Sequence, residues 1–491
     1  MMNISTWGSS MPRFPQHEPR QRIPNHDGSN LYFHLQPLPL PNSSDTSPSQ
    51  PVTDLPSPMA DPTSAAAASL VPNNTKPPLH TVLPPLLLGT ATFNTQYVSD
   101  PHSMPYRSIV ARALSLGVNA FDTSPYYGPS ELLLGDALNA LMSPTAGRNP
   151  PLPRSSFFLA TKAGRIVADS FDYSPSWIRY SVLRSLRRLH VPYLDLVYTH
   201  DVEFVSPAEV LAAVRELRRL RDEDGVVKYV GISGFPVDVL ADLAEMVLRE
   251  TGEPLDAVLS YGHFTVQNRR LVGGSFAGEE KGLSPLERLK NAGVDVVLNA
   301  SMLGMGLLTS KGIPVDPPVV SEDGTEKTDS PLAKWHPSPP ELRIACKKLT
   351  ELAAAAGERL ESVAIRWSLD EWARVAAEVG VGVDGPGSRK KIGATVCGVS
   401  SVSELEETVA EWRGVLSEDN KDEAYGSARR EKVLNLVQKD LWPALGSWID
   451  YVWDSPGPGF VNTRKESERG VVPDDGIAAD FEKAKQSSQS R

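Results

Sequence analysis

Between residues 81 and 416, short apolar runs alternate with longer stretches in which apolar residues recur at helical spacing. The strand-like runs are LPPLLLG up to Gly89, then 117–121, 157–161, 194–199, 227–234, 257–262, 294–301 and 395–400. Amphipathic segments separate them at 108–116, 130–141, 175–190, 208–221, 237–249 and 285–292, then over 340–377 and at 402–416. In the third of these, Ser174 is placed to cap a helix, Pro175 takes its first position, and Ile178, Val182, Leu186 and Leu189 share a face. Strands alternating with helices predict a parallel α/β sheet. Eight such units without a return stretch predict a closed (β/α)8 TIM barrel rather than an open doubly wound sheet.

The alternation is interrupted at 143–156, 273–281, 311–340 and 378–391, where Gly, Pro and charge predict loop insertions. Before it, residues 1–79 are Pro/Ser-rich; QPLPLPNSSDTSPSQPVTDLPSPMADPTS cannot bury enough apolar surface to offset its ordering entropy. The expectation is a disordered extension at 1–79, a barrel domain at 80–462 that takes in the apolar stretch after Leu434, and a charged flexible tail at 463–491.

Composition narrows the function. A net charge of −11 argues against nucleic acid as a partner. Two cysteines, Cys346 and Cys397, leave no disulfide framework and no metal spacing, and Cys397 falls in an apolar run as a core residue. No apolar run reaches the roughly 18–20 residues of a membrane span, and the N-terminus has no hydrophobic signal core, so a cytoplasmic protein with no membrane partner is expected. Neither observation separates a monomer from a homodimer.

The candidate chemistry lies at strand ends. FDTSPYYG carries Asp122 and two tyrosines, FFLATKAG carries Lys162, and LDLVYTHDVEF carries His200. In a parallel barrel such positions converge on one mouth. Hydride transfer at a carbonyl needs a group that exchanges the oxygen's proton. A free tyrosine, with a pKa of about 10, releases one reluctantly. An ammonium lowers that value, a carboxylate holds the ammonium, and an imidazole orients the carbonyl.

In order and spacing, FDTSPYYGPSE, LATKAG, YTHD, KYVGISGF, LNASMLGMGLLT and CGVSSVSELEET resemble the aldo-keto reductase superfamily over roughly 83–408. The resemblance implies Tyr127, immediately before the glycine, rather than Tyr126 as acid/base, with Asp122, Lys162 and His200 completing the catalytic set. It implies a nicotinamide cofactor held by Gly89 and Thr90 under the ring, Ser233 at the carboxamide, and Ser301, Leu303 and Gly306 over the pyrophosphate; the asparagine usual after the serine is Gly234 here. At Gly398, Ser400 and Glu404, where NADP-dependent relatives carry a lysine and an arginine, the basic clamp is missing, and a carboxylate repels a 2′-phosphate, so NAD is expected. Ser401 and Glu404 also read as a capping box.

HDVEF and LSYGHFTVQN resemble the branch that oxidises aldoses at C1, the fungal D-arabinose and plant L-galactose dehydrogenases. That implies an aldose substrate, an aldonolactone product and a place towards erythroascorbate. An NADPH-dependent aldehyde or pyridoxal reductase, and a non-enzymatic cofactor-binding regulatory subunit, stay open as alternatives.

Overall fold

The computed structural model describes residues 76–489 apart from 144–149, 274–281, 316–318, 321–325, 328–329, 388–390 and 418–422. The expected disordered extension lies outside the described residues as far as residue 75.

Eight parallel strands close into a barrel. They are β1 (Leu86–Gly89), β2 (Ala120–Asp122), β3 (Phe158–Ala163), β4 (Leu194–His200), β5 (Val227–Gly234), β6 (Ala257–Tyr261), β7 (Val296–Ala300) and β8 (Ala394–Gly398). β1 pairs with both β2 and β8, which closes the ring. Helices α1 (Tyr106–Ser115), α2 (Ser130–Met142), α3 (Pro175–Leu189), α4 (Pro207–Asp222), α5 (Val237–Thr251) and α6 (Pro285–Asn291) each follow one strand. α7 (Pro340–Ala355) and α8 (Leu360–Val379) both follow β7, and α9 (Val402–Ser417) follows β8. This is the TIM barrel that the alternation predicts. Every residue of β3 and β4 is buried, as expected of strands with the barrel interior on one face and helices on the other.

Local chemistry sets the helix starts. Ser206 with Glu209 and Ser284 with Glu287 form reciprocal capping boxes ahead of prolines at the first helical position. Ser174 occupies the expected cap position before Pro175, but its hydroxyl donates to Asp172 Oδ1 at 2.5 Å and caps nothing. Asp172 also pairs with Arg464, so the turn is organised by the acid and not by the helix end. Gly135 lets α2 approach the end of α3, since a Cβ there would stand 2.0 Å from the Arg188 carbonyl oxygen.

Two segments lie differently from expectation. The chain is anchored before residue 80: Lys76 pairs with Asp256 at 2.8 Å, Tyr229 donates to the Pro77 carbonyl, and Leu79 is buried. Beyond Asn462, where a charged flexible tail is expected, the Thr463 amide donates to the Asp169 carbonyl and Ile477 is buried at the start of a helix, Ile477–Gln489, that packs on α3. Tyr180 and Asp475 hydrogen-bond across that contact at 2.8 Å. The segment's charges have specific partners on the barrel, which overall composition does not reveal. Among the described residues no helix is long and apolar enough to cross a membrane, and no cluster of His, Cys, Asp or Glu could hold a metal ion.

Candidate active site

Strand register brings the chemistry together at the carboxyl ends. Gly89 is the partner of both Asp122 and Gly398, Lys162 of Tyr198, and His200 of Ser233. These ends open into a cavity of about 840 Å3, at the large end of small-molecule sites. Asp122, Tyr127, Lys162 and His200 all line it.

Lys162 Nζ donates to Asp122 Oδ1 at 2.5 Å and to the Thr123 carbonyl at 3.0 Å. The ammonium stands 4.8 Å from the centre of the Tyr127 ring. Burial raises the Asp122 pKa, and Lys162 opposes the rise. Ser124 Oγ accepts the Tyr126 amide and lies 3.0 Å from His200 Nδ1. A carboxylate can only accept, so Asp201 Oδ2, 3.5 Å from Nε2, favours the single proton of the neutral ring on Nε2, facing Asp201 and the cavity, with Nδ1 accepting from the Ser124 hydroxyl. Burial pushes the imidazole down to about 3 despite Asp201, so it stays neutral across the physiological range.

The phenol departs from expectation. Tyr127 has part of its surface open to the cavity, yet protein walls surround it and burial raises its pKa well above 10. Asp122 and Asp201 add to the rise, and Arg165 opposes it. The lysine expected to lower that pKa is held by Asp122, as expected, but the rise from burial is the largest effect on the phenol. The Tyr127 hydroxyl makes no hydrogen bond to another described residue, which leaves it available to a ligand. Tyr126, its ring 5.7 Å from that of His200 and 6.1 Å from that of Tyr127, lies under Arg165 with its hydroxyl on Gln96.

Of the expected cofactor residues, Gly89, Ser233, Ser301, Leu303, Gly306, Gly398, Ser400 and Glu404 line the same cavity. Thr90 does not: it is fully buried behind the wall, bonded to Ser130 Oγ at 2.7 Å, and supports β1 from the rear. The place beside Gly234 is taken by Glu203, whose Oε2 is 2.5 Å from where a Cβ would lie. Ser301 and Met305 adopt φ +58° and +54°, sparsely populated for such residues. His336 steadies this loop, with Nε2 donating to the Gly304 carbonyl at 3.1 Å while Nδ1 accepts the Ser338 amide. Glu404 forms half of the expected box. Its amide donates to Ser401 Oγ, but its carboxylate reaches past the cap to the Ser400 amide at 2.7 Å. The acid is thereby pinned at the exposed rim.

The groove suits an extended dinucleotide in one respect: Gly89 and Gly398 stand abreast in its lining, and neither projects a side chain into it. Several lining residues were not singled out from the sequence: Arg165 and Asp201 beside the tetrad, Lys311 beyond Gly306, Trp335 from the 311–340 insertion, and Trp453 and Asp454 from the C-terminal segment. Asp201 had a signal, an acid directly after His200 at a strand end. The tryptophans had none, because their segments reach the mouth only through tertiary packing: Trp335 Nε1 donates to the Gln96 carbonyl, and Trp453 stacks on Phe235 at 5.0 Å.

Residues 85–424 match the model of the aldo/keto reductase family. The chain is similar to D-arabinose 1-dehydrogenase of Saccharomyces cerevisiae, 38% identical over 73% of this chain and 90% of that protein. It is also similar to L-galactose dehydrogenase of Arabidopsis thaliana, 32% identical over 68% and 86%. Among solved structures, a glycerol dehydrogenase of Gluconobacter oxydans aligns at a TM-score of 0.46 with 22% identity, covering 77% of this chain and 95% of that one. The chain belongs to the aldo/keto reductase family and is an oxidoreductase.

Proposed function

We propose that the protein oxidises C1 of an aldose, D-arabinose or a close relative, and passes the hydride to NAD to give an aldonolactone. The observation that carries this reading is the meeting of four groups in one cavity: the Asp122–Lys162 pair, the unbonded Tyr127 hydroxyl and the neutral Nε2–H of His200. Bound nicotinamide supplies the hydride acceptor. His200 donates a hydrogen bond to the anomeric oxygen and holds it against Tyr127, which takes the hydroxyl proton once it has given up its own to solvent and stands as the phenolate. Lys162, kept in place by Asp122, sets positive charge beside that phenolate and favours its formation. Burial of the phenol makes positive charge at this spot necessary, and Arg165 also opposes the cost of a phenolate.

Glu404, on the cavity rim with no basic residue at Gly398, supports NAD over NADP. The similarity to D-arabinose 1-dehydrogenase supports the sugar; a cytoplasmic step towards erythroascorbate is part of the same proposal. The test is NADH formation, followed by fluorescence, with NAD and a panel of aldoses. D-arabinose or L-galactose should be oxidised. Absence of NADH with every aldose, together with NADPH consumption by simple aldehydes, would overturn the reading in favour of a reductase.

A further inference from the structure

Beside the tetrad stands an ion pair that proton exchange does not use. The chain leaves β3 at Ala163, just after Lys162, and turns into a short hairpin, Arg165–Val167 with Ser170–Phe171. The Arg165 guanidinium lies 3.8 Å from the centre of the Tyr126 ring, and Phe171 and Phe204 flank it at 5.2 and 5.3 Å. Those two phenylalanines stack at 4.7 Å, and Phe460 closes against both edge-on. Within this aromatic box Arg165 donates to the Ala168 carbonyl at 3.0 Å and to the carboxylate of Asp201. Asp201 follows His200 directly, held at φ +58°, and the Tyr173 hydroxyl fixes the turn by donating to the His200 carbonyl at 2.5 Å.

The pair is costly. Its side chains are 13% and 3% exposed, so both ions have lost most of their water, and a left-handed aspartate adds strain. An ion pair of this kind is weak support for stability. Its place suggests another use. Both residues line the cavity, and the carboxylate lies 3.5 Å from the imidazole nitrogen that faces the reacting oxygen. The pair therefore presents an acceptor and fixed donors, side by side, next to the imidazole. Its charges cancel, so it offers little to a phosphate or carboxylate. That pattern is complementary to a neutral vicinal diol, in which one hydroxyl donates while its neighbour accepts.

We propose that Arg165 and Asp201 form a diol clamp that selects neutral polyhydroxylated substrates by binding the hydroxyls next to the reacting carbon, Asp201 as acceptor and Arg165 as donor. The inference rests on the aldose reading above and deepens it. It requires that the residues act on substrate hydroxyls and not merely on the fold.

The test compares wild type, Asp201→Asn and Arg165→Lys on the parent aldose and on its 2-deoxy and 3-deoxy analogues, with NADH binding followed by fluorescence to show that each variant keeps its cofactor site. Wild type should lose roughly ten- to hundredfold in kcat/KM when a clamped hydroxyl is removed, the worth of a hydrogen bond to a charged group. Asp201→Asn should lose a similar factor on the parent sugar and little on the deoxy analogue, and should gain relative activity on a uronic acid, because Arg165 is then unneutralised. Equal losses on parent and deoxy sugars, or discrimination unchanged in both variants, overturn the clamp while leaving the aldose reading intact. Binding of a non-reacting alditol, read from the fluorescence of Trp335 and Trp453 in the cavity wall, separates the two ideas further. Alditol binding weakened tenfold or more by Asp201→Asn without turnover of any aldose would sink the reaction and keep the clamp. No alditol binding and no turnover would sink both.

Discussion

Lys162 binds one oxygen of Asp122 at 2.5 Å, and the other, Oδ2, is buried with no hydrogen-bond partner among the described residues. The carboxylate is thus held in the protein interior by a single cation. Lys162→Met should leave a charge uncompensated and lower stability by about 3–5 kcal/mol, the usual cost of breaking a buried pair from one side. Asp122→Leu combined with Lys162→Met should recover most of that loss in a urea melt and none of the turnover. A double variant as unstable as the single one would show that the pair is part of the packing.

Tyr127→Phe removes a hydroxyl that no other described side chain holds, so stability should barely change. Turnover should fall by about 10²- to 10⁴-fold with NADH binding preserved. Tyr126→Phe keeps the ring beneath Arg165 and loses only the Gln96 contact, and should cost far less. Steady-state rates and a fluorescence titration decide it, and reversed results would assign the acid/base role to Tyr126.

Glu404→Arg replaces a carboxylate at the cavity rim with a guanidinium. The ratio of kcat/KM for NADP over NAD should rise by about tenfold or more, since a charged hydrogen bond is worth roughly 1.5–3 kcal/mol. The Ser400 amide loses its acceptor, and thermal stability should drop by about 1 kcal/mol. An unmoved ratio would mean that the 2′-phosphate is recognised away from this rim.

Burial, with the negative charge of Asp201, pushes Glu203 up to about 8, although the Phe235 amide and the Ser455 hydroxyl donate to its Oε1. The folded protein therefore keeps this acid protonated where the unfolded chain, at the ordinary 4.5, has released the proton. The unfolded state binds fewer protons, so this group's contribution to stability falls as pH rises from 4.5 towards 8 and is level above that. Glu203→Gln should flatten that part of the pH profile and stabilise the protein near pH 8 by an amount on the order of 1 kcal/mol. Denaturant melts from pH 5 to 8.5 provide the measurement; profiles of identical slope would refute it.

Removing residues 1–75 should leave the thermal transition and turnover unchanged, because their Pro/Ser-rich composition cannot contribute a core. Removing 1–79 deletes the Lys76–Asp256 pair and buried Leu79, and should cost about 2–3 kcal/mol. Equal melting of the two truncations would show that the turn at Leu79–Thr81 is not an anchor.

Strand and helix order, the barrel, and the meeting of Asp122, Lys162 and His200 were legible without coordinates. Each depends on a local period, and parallel strands that alternate with helices bring their carboxyl ends to one face whatever lies between them. The cap at Ser174 was misread for a reason of the same scale: Asp172, two residues earlier, competes for its hydroxyl.

What the sequence determined by itself is therefore whatever period and neighbouring residues control: the element order, the fold class, and which strand ends carry an acid, an amine, a phenol and an imidazole. Tertiary structure alone decided the rest. It put Thr90 behind the wall, closed the Phe171, Phe204 and Phe460 box around Arg165, and brought Trp335 and Trp453 to the mouth from segments more than a hundred residues apart in sequence. It also reversed the expected direction for Tyr127. A motif records that an ammonium is near a phenol and a carboxylate, but depth of burial belongs to the whole packed barrel, and here burial is the larger effect.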